Sequence, residues 1–188
     1  MAAILLEPPA SEPLSLAEAK TYLRVDHDAD DALIASMIAA ARIQVESRSC
    51  RALMTQGWRI VLDRWPSSGV VAAPVSPLRA VLAARVRDAA GDAQTLDPEI
   101  FILNTASAPG LISFDAGRVI HPVREIAGIE IDIEAGYGDA ADVPAPLLQA
   151  IRLLLARAYE YRGGGGEQGI ALPEGIAELI APYRVVSL

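Results

Sequence analysis

Ile129-Glu130-Ile131-Asp132-Ile133-Glu134 is the stretch that decides the fold of this chain. Successive side chains of a strand point to opposite faces, so three isoleucines alternating with three acids form a strand with one face buried and the other wet or paired. The strand closes at Gly136-Tyr137-Gly138. A different period then begins. Asp142-Val143-Pro144-Ala145-Pro146 opens a helix, because prolines are tolerated in a first turn whose N–H groups have no intrahelical acceptor. Leu147, Leu148, Ile151, Leu154, Leu155, Ala158 and Tyr159 make its apolar face, with Arg152, Glu160 and Arg162 mostly outside it.

Toward the N-terminus the two-residue period persists as far as Gly57. Trp58, Ile60 and Leu62 alternate with Arg59, Val61 and Asp63 and stop at Trp65-Pro66 before the turn Ser67-Ser68-Gly69. Residues 70–72 form a short strand, and Pro74 and Pro77 frame a segment outside any ladder. Residues 80–87 and 93–96 make a hairpin around Asp88–Asp92, and residues 100–104 and 111–114 are joined through Ser107-Ala108-Pro109-Gly110. The block holds about six strands.

Ahead of it stand two helices. Pro8, Pro9 and Pro13 keep the first residues extended, and Ser15-Leu16-Ala17-Glu18 is a capping box that starts a short helix to Leu23, burying Leu16, Ala19 and Leu23. The acidic run Asp26–Asp31 invites a metal-loop reading, but a calcium loop requires a glycine at its sixth position and a distal bidentate glutamate, both missing. The run is therefore expected to cap a second helix, about 30–49, by placing carboxylates on its free N–H groups. Leu33, Ile34, Met37, Ile38, Ala41 and Val45 give that helix one apolar stripe, with Arg42 and Glu46 as an i,i+4 pair on the polar side. The alanines at 39–41 permit close approach of another helix.

Beyond the long helix, Gly163, Gly164, Gly165 and Gly166 form a hinge or linker; no Lys-Ser/Thr pair follows to make a phosphate loop. A short helix over 172–181 and an extended tail follow. The tail's Leu179, Ile180, Tyr183, Val185, Val186 and Leu188 need cover, and they fit either folding back on the chain or inserting into a partner. The expected architecture is α+β: a helical part at 1–56, an inserted antiparallel β subdomain at 57–138, a helix and glycine hinge at 139–166, and a tail at 167–188.

Composition narrows the function. At 52% hydrophobic residues over 188, the chain can bury a core without metal or disulfide, and its single cysteine, Cys50, forms no internal bridge. No apolar run reaches the ~20 residues of a membrane-spanning helix, and the acidic start Met1–Pro13 does not read as a secretory signal, so a soluble protein made in the cytoplasm is expected. The net charge of -8 argues against binding nucleic acid by neutralising phosphates. Lys20 is the one lysine among 16 basic residues; arginine suits bidentate ion pairs, though a GC-rich genome produces the same bias.

Catalytic signatures are missing. His27 and His121 lie in different blocks, Cys50 and the serines lack a nucleophile elbow, and no dinucleotide loop, Walker loop, C-x-x-C pair or H-E-x-x-H occurs. Glu130, Asp132 and Glu134 are the best-spaced acids, and their place on one strand face points to a solvated or interface-facing row. No catalytic residue, metal ligand or cofactor is assigned.

Several segments, taken in order, resemble phage head-tail connector (adaptor) proteins: Pro8–Asp26 with its Pro-Leu-Ser-Leu-Ala-Glu-Ala-Lys, Asp28–Ala41, Arg51-Ala-Leu-Met-Thr-Gln-Gly-Trp, Ala135-Gly-Tyr-Gly with Val143–Ile151, Ala158-Tyr-Glu-Tyr-Arg, and Leu179-Ile-Ala-Pro-Tyr-Arg. Together they look like the subgroup with a β insertion found in prophages and in gene transfer agents of alphaproteobacteria; residues 66–128 carry little of the likeness. The resemblance implies a ring, commonly of twelve copies, in the particle neck, with the portal on one side and a stopper or tail protein on the other, and DNA passing through without sequence-specific binding. It makes Leu179, Ile180, Pro182, Tyr183 and Arg184 the portal-docking element and the four glycines its hinge. Leu33, Met37, Ile38, Ile151 and Leu155 would pack within and between subunits. Deleting residues 169–188 would then leave a folded protein that no longer joins particles. The alternatives are a small virion hydrolase, a helix-turn-helix regulator, whose recognition helix would offer few base-reading side chains, and an assembly protein that stays outside particles.

Overall fold

The computed structural model describes residues 1–161 and 174–185. These divide into a β unit, built from Met1–Pro9, Thr55–Gly136 and Val185, and a helical unit, built from Ala10–Met54 and, among the described residues, 137–161 and 174–184. The chain is α+β, with the long strands antiparallel to their neighbours throughout.

The β unit has eight strands: β1 (Ala2–Glu7), β2 (Gln56–Leu62), β3 (Val70–Ala72), β4 (Leu78–Arg87), β5 (Ala93–Leu96), β6 (Phe101–Asn104), β7 (Leu111–Phe114) and β8 (Ile129–Ala135). A five-stranded sheet runs β1-β2-β8-β4-β5 and a three-stranded sheet runs β3-β7-β6. The stretch at 129–134 lies at the centre of the larger sheet. Ile129, Ile131 and Ile133 are fully buried and join Ile60, Leu62, Ala84 and Val86 of the same sheet and Val71, Ile112, Phe101 and Phe114 of the smaller one in a single core. Trp65 packs against Phe114 with ring centroids 4.7 Å apart and planes tilted by 52°, and donates its indole N–H to the Ile120 carbonyl at 2.8 Å, so the bulkiest side chain enters the core with its polar atom paired.

Both anticipated hairpins form. In the β4–β5 loop the Asp88 carboxylate accepts from the N–H groups of Ala90 and Asp92, both at 2.9 Å, while Gly91 takes φ +93°, a left-handed angle open to glycine. In the β6–β7 loop Gly110 is required by space, since a Cβ there would stand 2.4 Å from the Leu78 Cβ. The first residues depart from expectation. They are extended, as the prolines implied, but they pair with β2 as the outermost strand, so residues 1–9 belong with the sheet rather than with the helices at 10–54.

The helical unit comprises α1 (Leu16–Leu23), α2 (Asp31–Ser49), α3 (Ala145–Glu160) and α4 (Glu174–Ile180). The capping box forms: the Ser15 Oγ accepts from the Glu18 N–H at 3.3 Å and the Glu18 carboxylate accepts from the Ser15 N–H at 2.9 Å. Leu14, Ala19, Ile34, Ile38, Ala41, Val45, Leu147, Ile151, Leu155, Ile176 and Ile180 share the core.

Two expectations for α2 are corrected. Its acidic start makes no side-chain cap, and the carboxylates bind elsewhere: Lys20 pairs with Asp28 at 2.6 Å and Asp31 at 2.7 Å, and Asp30 accepts from the Tyr159 hydroxyl at 2.7 Å. The Lys20 ammonium, in the last turn of α1, draws Asp28 and Asp31, and a hydroxyl of α3 holds Asp30. Arg42 is not on a polar side but is 8% exposed, clamped by Glu12 at 2.7 Å and Glu46 at 2.6 Å. Leu33, expected in the apolar stripe, is instead 38% exposed, so the buried stripe is rotated from the one anticipated.

Candidate interaction surfaces

On the β unit, the acids of β8 opposite the isoleucines are paired. Register sets Arg59 of β2 across from Asp132, and Arg85 of β4 across from Glu130, which brings cations from both flanking strands over the acidic row. Asp132 receives a bidentate grip from Arg59, Nε at 2.6 Å and Nη2 at 3.0 Å, and a third bond from Arg85 at 2.6 Å. Arg87 reaches Glu130 at 2.8 Å, and Arg79 reaches Glu134 at 2.8 Å. The arginines cover the acids: Asp132 is only 7% exposed. Burial pushes its carboxyl up, but the Arg59 and Arg85 hydrogen bonds outweigh that and hold it below the usual carboxylate range. Arg59 is raised in turn, first by its bond to Asp132. The row is a structural ladder in which bidentate arginine geometry is used. The parity of Arg59, Arg85 and Arg87 in their own strands was the available signal for it.

On the helical unit, the tail folds back as far as it is described. Ile176 and Ile180 are buried in the core, Leu179 and Tyr183 pack against it half-buried, and Pro182 and Arg184 are exposed. Arg51 donates from Nε to the Tyr183 carbonyl at 2.5 Å and lies over the Tyr137 ring at 5.9 Å, fastening the turn after α4 to the end of α2. Of the five docking candidates, then, Ile180 is spent on the chain's own core and Pro182 and Arg184 face outward. The four glycines at 163–166, and Val186 and Leu188, lie outside the described residues.

The packing candidates separate similarly. Ile38, Ile151 and Leu155 pack within the chain at 2% exposure or less, Met37 is partly buried against the same core, and Leu33 remains at the surface. Exposed apolar side chains elsewhere include Ile4, Leu5 and Leu6 on β1, Ile43 on α2, Leu82 on β4, Ile102 on β6, and Val123 and Ile126 before β8. Cys50 is an exposed free thiol ending α2. Among the described residues no group of three His, Cys, Asp or Glu side chains is placed to hold a metal, and no helix is long and apolar enough to cross a membrane.

Comparison with known proteins agrees with this picture of a scaffold. The model of the phage gp6-like head-tail connector protein family matches residues 13–90. A chain in a structure described as the neck of an empty GTA particle computed with C6 symmetry is 30% identical, with a TM-score of 0.81 over 100% of this chain and 97% of that one. A chain in the virion of the native gene transfer agent (GTA) particle is 28% identical, with a TM-score of 0.83 over 100% and 97%. A third, in the neck of the native GTA particle computed with C12 symmetry, is 29% identical, with a TM-score of 0.79 over 98% and 97%. No curated protein matches.

Proposed function

The chain belongs to the phage gp6-like head-tail connector family and is a structural protein of the particle neck, and on that premise we propose that twelve copies form the ring joining the portal to a stopper or tail protein. The observation that carries this is the end-to-end match to neck chains, in which both the helical and the β unit take part. The ring works as a passive conduit. The half-buried and buried charges of the β8 ladder and the Arg42 clamp are engaged in ion pairs, which suits a part whose role is to hold shape, and we assign it no catalysis.

DNA crosses the ring without sequence-specific contact. A surplus of eight negative charges over the chain keeps phosphates from being gripped and lets the polymer slide. Portal contact falls to the exposed part of the tail, Pro182 and Arg184 with the half-buried Leu179 and Tyr183, presented on α4 as a fixed knob. The test is substitution at that knob: Arg184→Glu with Pro182→Ala should leave melting unchanged and cut incorporation into particles at least tenfold. Normal incorporation overturns the docking assignment.

A further inference from the structure

The five-stranded sheet ends in two strands that nothing covers among the described residues: β1, paired only with β2, and β5, paired only with β4. Such edges present unpaired N–H and C=O groups, and proteins normally guard them with charges, proline or short length. Here the guards are weak. All six residues of β1 are exposed, Ile4 at 49%, Leu5 at 44% and Leu6 at 42%, with no charged side chain from Ala2 to Leu6; the bulge between Leu5 and Glu7 shields only one end. Ala93-Gln94-Thr95 of β5 is also exposed and uncharged.

Building on the neck-ring reading, we infer that the β1 edge of each copy pairs with the β5 edge of the next, joining the large sheets of neighbouring copies side by side. Three observations support a second copy as the occupant. A closed ring such as the sixfold and twelvefold necks of the similar chains is heterologous, so each copy must present two unlike surfaces, and the two edges of one sheet are two unlike surfaces. Copies carrying -8 each repel, and they meet at least cost where charge is sparse: Ala2–Leu6 and Ala93–Leu96 carry no charged side chain, with Glu7 at the end of β1 and Asp92 and Asp97 flanking β5. Direction is also compatible. Four successive antiparallel pairings leave β1 and β5 running the same way, and one-twelfth of a turn hardly reorients a strand, so the two meet as a parallel pair.

Cross-linking within particles tests this. In full-length protein with Cys50→Ser, Leu5→Cys and Thr95→Cys are introduced together. The two sites are separated by four strand spacings of about 4.8 Å, roughly 19 Å, so a short bismaleimide cannot bridge them within one copy. Treated particles should yield a ladder of covalent multimers of this chain, and Leu5→Cys alone should yield none. Monomer only, or an adduct to a different particle protein, overturns the pairing while leaving the neck reading intact; absence of even the unsubstituted chain from particles overturns both. As a second measurement, Ile4→Lys with Leu5→Lys places charge on the edge. That variant should melt as the parent does yet fall at least tenfold in particles, and incorporation at the parent's level overturns the inference.

Discussion

Asp132 ties three strands of the β unit together, because Arg59 of β2 and Arg85 of β4 converge on it from either side of β8. Removing a partly buried ion-pair partner strands the cations it served, so Asp132→Asn should cost about 1–3 kcal/mol, less than a fully buried pair because Arg59 and Arg85 remain partly solvated. The pH dependence has a definite sign. A carboxyl whose folded pKa lies below its unfolded value, about 3.9, stabilises the fold above that value, and the contribution is lost as the pH falls through the folded pKa. Denaturant titrations at pH 7 and pH 3 should show the β unit weakening in acid, with a smaller drop in Asp132→Asn. Gly110 is the other residue with a sharp expectation: a methyl 2.4 Å from Leu78 cannot be accommodated without shifting β7, so Gly110→Ala should destabilise by about 1–3 kcal/mol in thermal or denaturant melts. The acid row was legible because alternation alone separates the faces of β8. Its arginine partners were not, since pairing across strands depends on register, which local pattern leaves open. Arg42 was misread for a related reason: Glu12, thirty residues away, supplies the charge that lets it be buried.

At the scale of elements, period and turn chemistry carried the reading furthest, with the capping box of α1. α1, α2, α3 and both hairpins stand where turn residues and apolar spacing put them, because those signals are local. Residues 2–7 lacked any such signal, as a short apolar run beside prolines is extended whether or not it finds a partner, and only β2 makes it a strand. The tail was ambiguous for the same reason. Its folding back alters the outcome expected for truncation. Removing residues 169–188 takes Ile176 and Ile180 out of the helical core, so the shortened protein should melt at clearly lower temperature instead of remaining intact. A milder probe is Ile180→Ala, expected to cost about 2–4 kcal/mol by leaving a cavity, as read from the denaturation midpoint. Loss of incorporation by the truncated chain therefore speaks to folding as well as docking, which is why exposed Pro182 and Arg184 are the better test positions.

For the molecule as a whole, each unit holds its own buried apolar core, the β unit adds a row of acids neutralised by arginines, and the chemistry is assembly. The strand-rich β unit, where the resemblance to connector proteins was weakest in sequence, is included in the end-to-end match to neck chains, because packing constrains the alternation of apolar residues more than their identity. The account stands on the place of this chain in the particle. Imaging of purified particles at side-chain resolution measures that directly: the account predicts twelve copies of this fold in one ring of the neck, with the acidic chain surrounding an open channel, whereas particles of normal composition whose neck holds no density for this chain would contradict it.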